Sequence, residues 1–290
     1  MDNIKIFGKG WNFSQDGPGN RLLYHFQGCN FTCPWCSNPE GIPVKGALLV
    51  RSEKLQDSFC PYGAIKNRVL DRERCETCPE RACVHKNRNE AIRFSIKEYT
   101  IAEIIDEVEN SRGLFHSGGG VTITGGEPTL QFKLLKKLLT ELKHIHIHTA
   151  IETNASHERL PELFGLIDLL IMDIKHFDPK IHKNILGISN GRIIDNLVKA
   201  AQTDIDIWIR IPLIPDFNNN IQTMERLAEI IKSINRKGIT VELLPYHDYG
   251  RVKWEQTGKV YPMPDKKIPA DDLIAYRKIF INNSIQILKT

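Results

Sequence analysis

From about residue 96 onward the apolar positions switch repeatedly between a helical spacing and short unbroken runs. Helical periodicity marks IAEIIDEVEN (101–110), LQFKLLKKLLTELK (130–143), GRIIDNLVKAAQ (191–202), TMERLAEIIKSINRK (223–237) and DDLIAYRKIF (271–280). Between them lie VTITGG (121–126), HIHIHTAIET (144–153), LLIMDIK (169–175), IDIWIRIPLI (205–214), ITVELLPYH (239–247) and a final SIQIL (284–288). Such Ile- and Val-rich runs predict strands covered on both faces, and their alternation with helices implies right-handed crossovers and a parallel sheet. With RLLYHFQ (21–27) as the first strand there are six βα units. The expected fold class is α/β, an open partial (β/α)6 barrel of the TIM type. Residues 45–95 break the rhythm with dense charge and four cysteines, so a small insertion folded around metal is expected there. The barrel is then assigned to 1–44 and 96–290.

Composition narrows the function classes. The chain has 290 residues, 41% of them apolar, and a net charge of +4 from scattered Lys and Arg rather than a basic stripe, which argues against nucleic-acid binding. MDNIKIFGKG lacks the apolar core of a signal peptide, and no stretch has the length to cross a bilayer. A cytoplasmic enzyme without a membrane partner is expected, acting as a monomer.

Seven cysteines fall in two groups, at 29, 33 and 36 and at 60, 75, 78 and 83. In a reducing compartment such clusters suit zinc or iron-sulfur better than disulfides. Three thiolates from one short loop ligate three irons of a cubane 4Fe-4S cluster and leave the fourth open to a substrate. The spacing of Cys29, Cys33 and Cys36, with Trp35 before the last, resembles the signature of the radical S-adenosylmethionine superfamily. The ligand of the open iron then brings an ammonium, a carboxylate, a ribose and an adenine that need partners. In TGGEP (124–128), Gly125 and Gly126 permit close backbone approach, and Glu127 is expected to help hold the ammonium. Glu152, Thr153 and Asn154, then Asp173 and Lys175, then Arg210, then His247 close successive strands, the rim where parallel βα folds carry their sites. Lys175, Arg210 and His247 form a cationic trio suited to the carboxylate and ribose.

DGPGNR (16–21), SNPEG (37–41), MDIKHFDPKIHKNILGISN (172–190) and LLPYHDYGRVKW (243–254) extend the likeness. Together they resemble the glycyl radical enzyme activating enzymes, the group that includes the pyruvate formate-lyase activating enzyme. The resemblance implies that Asp173, Lys175 and His247 contact S-adenosylmethionine. It also implies that Glu152, Thr153 and Asp173 surround a monovalent cation beside the carboxylate, Glu152 standing where the relative carries aspartate. It further implies a partner glycyl radical enzyme, a flavodoxin or ferredoxin as electron donor, and a radical that takes hydrogen from a glycine Cα.

The insertion resembles a ferredoxin-like insert with two CxxCxxCxxxCP runs. In the first run, Val50, Glu53 and Gln56 occupy the cysteine positions before Cys60, and Asn87 stands where the CP of the second run should fall. One auxiliary 4Fe-4S cluster on Cys60, Cys75, Cys78 and Cys83 is therefore expected, with structural zinc on the same thiols as the rival. The three histidines of HIHIH are expected on one outward strand face, and the segment DYGRVKWEQTGKVYPMPD (248–265) as a long loop able to close over a partner's glycine loop or to serve as a plain connection. Two other functions stay open: a radical enzyme acting on a small molecule or peptide, and a non-catalytic electron carrier.

Overall fold

The computed structural model describes residues 3–288 apart from 77, 79, 88 and 237. The chain opens with a hairpin, β1 (Ile4–Phe13) antiparallel to β2 (Asn20–Phe26). The cysteine-rich segment follows, with β3 (Leu48–Val50), β4 (Ile65–Lys66), β5 (Val69–Leu70), α1 (Arg72–Glu76), α2 (Ala82–Lys86) and β6 (Ile92–Phe94). β7 (Lys97–Tyr99) then returns to the outer edge of β1.

The repeating part runs α3 (Ile101–Asn110), β8 (Gly120–Gly125), α4 (Phe132–His144), β9 (Thr149–Thr153), β10 (Leu169–Asp173), α5 (Pro179–Leu186) and α6 (Gly191–Ala200). It continues with β11 (Asp206–Leu213), α7 (Ile221–Ser233), β12 (Ile239–Pro245), α8 (Arg251–Gln256), α9 (Ala270–Asn282) and β13 (Gln286–Ile287). The sheet order is β13-β12-β11-β10-β9-β8-β2-β1-β7, parallel from β13 to β2. An open, largely parallel barrel results, in which the six expected strands are neighbours in chain order.

Local chemistry sets the helix starts. Thr100 and Glu103 form a reciprocal cap on α3. Asp178 caps α5, and Asn220 caps α7. The buried sides of these helices, such as Ile104 and Val108 on α3 and Leu135, Leu138, Leu139 and Leu142 on α4, join the strand residues in one core. A smaller core of Val50, Leu55, Ile65, Cys83, Ala91 and Ile92 holds the cysteine-rich segment.

Two local expectations are overturned. HIHIH is not a strand: His144 ends α4, His146 takes a left-handed conformation with φ 55°, and β9 begins only at Thr149. Helix α4 is carried through His144 by its apolar face, so the three rings cannot share one strand face. Residues 248–265 are not a plain loop either, because α8 forms within them.

Candidate functional site

A cavity of about 240 Å3 lies at the carboxyl ends of the parallel strands. The loop after β2 supplies one wall, with Cys29, Cys33, Trp35 and Cys36. Gly125 ending β8 and Gly126 after it, Glu152 and Thr153 of β9 with Asn154 beyond, Asp173 ending β10 with Lys175 beyond, and His247 after β12 supply the rest. The glycine turn admits no other residue: Gly125 has φ 123°, and a Cβ on Gly126 would stand 2.2 Å from the Gly28 carbonyl oxygen. The backbone of β8 thus closes onto the cysteine loop, where the Glu127 amide donates to the same carbonyl at 2.7 Å.

The loop is anchored on the other side by Asn30, whose amide oxygen accepts from Asn154 at 2.8 Å while its nitrogen donates to Ser156, also at 2.8 Å. Asn30 carries no motif signal of its own beyond its place beside Cys29. Phe31, Thr124, Ile214 and Tyr246 line the cavity as well, and generic apolar or small residues at strand ends gave no signal to find them. Trp35 packs on Phe217 at 4.9 Å between ring centres, giving the cavity an aromatic flank.

Burial pushes the thiols of Cys29, Cys33 and Cys36 up to about 12, so bare they stay protonated at neutral pH. A metal cation reverses that balance by stabilising the thiolates, and three free, partly buried thiols around one cavity suit a soft metal cluster. Lys175 donates to Asp173 at 2.6 Å. Burial works against its charge, but the Asp173 carboxylate, through its charge and its hydrogen bond, holds it above the ordinary amine range. It is therefore a fixed cation facing the cysteine loop.

Two residues expected to touch a ligand are placed otherwise. Glu127 is 0% exposed and does not line the cavity; its carboxylate accepts from the Thr129 amide and hydroxyl, the Thr153 hydroxyl and the Asn154 amide. Burial pushes its pKa up against those hydrogen bonds. It ties the β8 turn to the end of β9. Arg210 lies inside β11, which continues to Leu213, so its side chain sits below the rim. The parallel register sets it beside Glu242, to which it donates at 2.6 Å. It also pairs with Asp16 at 3.3 Å, with Glu152, and with the Gln15 carbonyl. Arg210 thus binds the loop before β2 to the barrel interior, and of the cationic trio only Lys175 and His247 line the cavity.

The three residues expected around a cation all line the cavity, each with a partner of its own. Glu152 accepts from Thr124 at 2.8 Å and from Arg210, the Thr153 hydroxyl donates to Glu127 at 2.8 Å, and Asp173 holds Lys175. Against the cost of burial, Arg210 keeps the Glu152 carboxyl below its usual range.

Cys60, Cys75, Cys78 and Cys83 converge on a second cavity of about 340 Å3. Burial, reinforced by the neighbouring thiols, pushes Cys75 up to about 11, and the Ala64 amide donates to the Cys60 sulfur at 3.3 Å. The positions of a second cluster are otherwise occupied. Val50 is in the small apolar core, and Glu53 and Gln56 are exposed. The Asn87 amide nitrogen donates to the carbonyls of Cys83, Val84 and Ile92, and its oxygen accepts from the Ile92 amide. An amide that closes its own turn stands where a thiolate would be needed.

A cavity at the strand ends of a parallel partial barrel, walled by a loop with three free cysteines, defines the class as a partial-barrel protein with a thiol-lined site. A profile of the Radical SAM superfamily matches residues 23–231. The 4-hydroxyphenylacetate decarboxylase activating enzyme of Clostridioides difficile strain CD196 is 34% identical over 93% of this chain and 90% of its own length. The (2S)-3-sulfopropanediol dehydratase activating enzyme of Klebsiella oxytoca is 31% identical over 87% and 85%. Among solved structures, a domain of the pyruvate-formate lyase-activating enzyme from Bacteroides vulgatus superposes with a TM-score of 0.50 at 25% identity, covering 59% of this chain and 98% of that domain. The chain belongs to the Radical SAM superfamily, and within it to the activating enzymes of glycyl radical enzymes.

Proposed function

We propose that the strand-end cavity seats S-adenosylmethionine beside a cluster held by Cys29, Cys33 and Cys36, and that the target is a glycine Cα of a partner glycyl radical enzyme. When bound, the cluster supplies one electron and S-adenosylmethionine supplies the 5'-deoxyadenosyl radical that takes the hydrogen. The observation that carries this reading is the meeting of the three-cysteine loop, the Gly125–Gly126 turn and the Asp173–Lys175 pair in one cavity.

The chain's own residues bind and orient. Gly125 and Gly126 would let peptide groups approach the methionine ammonium, and Asp173, Lys175 and His247 would contact the rest of S-adenosylmethionine, its carboxylate and ribose included. Glu152, Thr153 and Asp173 would offer oxygens to a monovalent cation, in competition with their partners Thr124 and Arg210, Glu127, and Lys175. Trp35 and Phe217 keep water from one side of the cavity, and no side-chain acid or base is needed.

Residues 45–95 form the insertion, and Cys60, Cys75, Cys78 and Cys83 hold one auxiliary 4Fe-4S cluster. No helix among the described residues is long and apolar enough to cross a membrane. We place the enzyme in the cytoplasm, as a monomer reduced by a flavodoxin or ferredoxin. Anaerobic protein is expected to carry about eight irons, and reduction in the presence of S-adenosylmethionine to yield 5'-deoxyadenosine in wild type but not in Cys33→Ala. About four irons with one zinc refutes the auxiliary cluster. Cleavage that survives Cys33→Ala refutes the open-iron assignment.

A further inference from the structure

The segment after His247 makes contacts that the proposed chemistry does not use. The Trp254 indole N–H of α8 donates to the Cys36 carbonyl at 2.9 Å. Gly250, just before α8, packs so closely that a Cβ there would stand 2.6 Å from the Cys36 carbonyl oxygen and 2.9 Å from the Ser37 Cα. Lys253 donates to Asn38 at 2.5 Å and lies 3.4 Å from Glu40, a carboxylate only 3% exposed. One face of α8 therefore rests on the catalytic loop from Cys36 to Glu40.

The other end of α8 is gripped by the insertion. Arg72 of α1 donates to the Gln256 carbonyl at 2.7 Å and to the Leu48 carbonyl at 3.0 Å. A guanidinium on the last carbonyls of a helix satisfies groups that have no partner within it. Arg72 stands three positions before Cys75 on the same short helix, and so on nearly the same face. A second link is weaker: Arg93 of β6 lies 4.0 Å from Glu40.

We propose that α8 is a strut joining the four-cysteine insertion to the catalytic loop, with Arg72 and Trp254 as positioning residues that set the place of Cys36. Metal bound by Cys75 and its partners fixes α1, α1 fixes the end of α8 through Arg72, and α8 holds the carbonyl of the third catalytic cysteine. The link from insertion metal to loop rests on the auxiliary-site reading, whereas the strut itself does not. Trp254 and Gln256 are only two residues apart in α8, so displacement at one contact reaches the other.

Hydrogen exchange on the anaerobic holoprotein tests this in Arg72→Ala, Trp254→Phe and the double variant. The readout is exchange in peptides spanning 28–42, where the Cys36 amide bonds the Cys33 carbonyl and the Gly28 amide bonds the Gly41 carbonyl. Losing one such contact is expected to speed loop exchange about threefold to tenfold. Arg72→Ala should do so without touching the loop, the double variant should match the larger single effect, and exchange in 207–213 should stay as in wild type. Arg72→Ala should also alter the electron paramagnetic resonance line shape of the first cluster with S-adenosylmethionine bound, which a purely local role in the insertion would not do. Wild-type loop exchange in Arg72→Ala, or additive effects in the double variant, would overturn the strut. Cys78→Ser, emptying the insertion, should reproduce the Arg72→Ala loop behaviour. Unchanged loop exchange in Cys78→Ser, with iron lost from the insertion, overturns the metal link. About four irons in wild type defeats the auxiliary-cluster reading alone, while Arg72→Ala still decides the strut.

Discussion

Replacing Arg210 separates a structural cation from a ligand-binding one. Arg210 is 5% exposed, and its donors are shared among Glu242, Glu152, Asp16 and the Gln15 carbonyl. Arg210→Met keeps much of the side-chain volume but leaves Glu242, 2% exposed, without its partner and frees the loop before β2. Breaking a buried ion pair on one side costs about 3–5 kcal/mol, because the remaining charge stays desolvated. The upper part of that range applies here, since three carboxylates lose one cation. Urea titration of the anaerobic holoprotein, followed by tryptophan fluorescence, reads the loss directly. Adding Glu242→Leu should recover part of it, because the most buried of the stranded charges is then gone. Isothermal calorimetry of S-adenosylmethionine binding supplies the second axis, and the affinity lost should not exceed what partial unfolding explains. If Arg210→Met stays within about 1 kcal/mol of wild type yet no longer binds S-adenosylmethionine, the guanidinium serves the ligand and the ion-network account is wrong.

Two further outcomes follow from buried polar groups. Asn87→Leu removes two N–H donors shared among three carbonyls and leaves the Ile92 amide unsatisfied, so the insertion should lose about 1–3 kcal/mol and release iron to a chelator faster than wild type. Unchanged release would show that Asn87 does not close that turn. His176 and His182 are 2% and 0% exposed, and burial lowers both pKa values from the ordinary 6.5. The unfolded chain then binds more protons below pH 6.5, so their stability contribution is complete above that value and fades as pH falls toward the folded-state values. The slope is at most about 1.4 kcal/mol per pH unit for each ring, and because burial also lowers His25, His148 and His157, the difference in urea midpoints between wild type and the His176→Gln, His182→Gln double variant from about pH 7.5 to 5.5 measures it. A flat profile would mean that neither ring is held neutral.

Sequence pattern located the parallel core because burial on both faces leaves an unmistakable run, as in Val121–Thr124 or Leu169–Met172. The three-cysteine loop and the GGEP turn were legible for a similar reason: metal ligation and close backbone approach each demand one residue type. Arg210 and Glu127 lie outside the cavity lining, a placement hidden in the sequence because a charged residue near a strand end reads alike whether it faces a ligand or a buried counter-charge. Only the extension of β11 to Leu213 and the hydrogen bonds of Glu127 distinguish these cases. HIHIH misled through alternation, which the C-terminal turn of α4 imitates over a few residues. The hairpin partner β1 and the short helix α8 were invisible for another reason. Gly8 and Gly10 interrupt the apolar pattern of β1, and α8 is fixed by contacts to Cys36 and Arg72 that lie far away in the chain.

The central claim is that the strand-end cavity generates a radical and delivers it to a peptide glycine. Its most direct test is electron paramagnetic resonance after anaerobic incubation of reduced enzyme and S-adenosylmethionine with glycyl radical enzymes from the same genome. A glycine-centred doublet, absent when Cys33→Ala replaces the wild type, is the predicted result. Production of 5'-deoxyadenosine with no glycine doublet in any of those enzymes would contradict it and point to a small-molecule or peptide substrate instead.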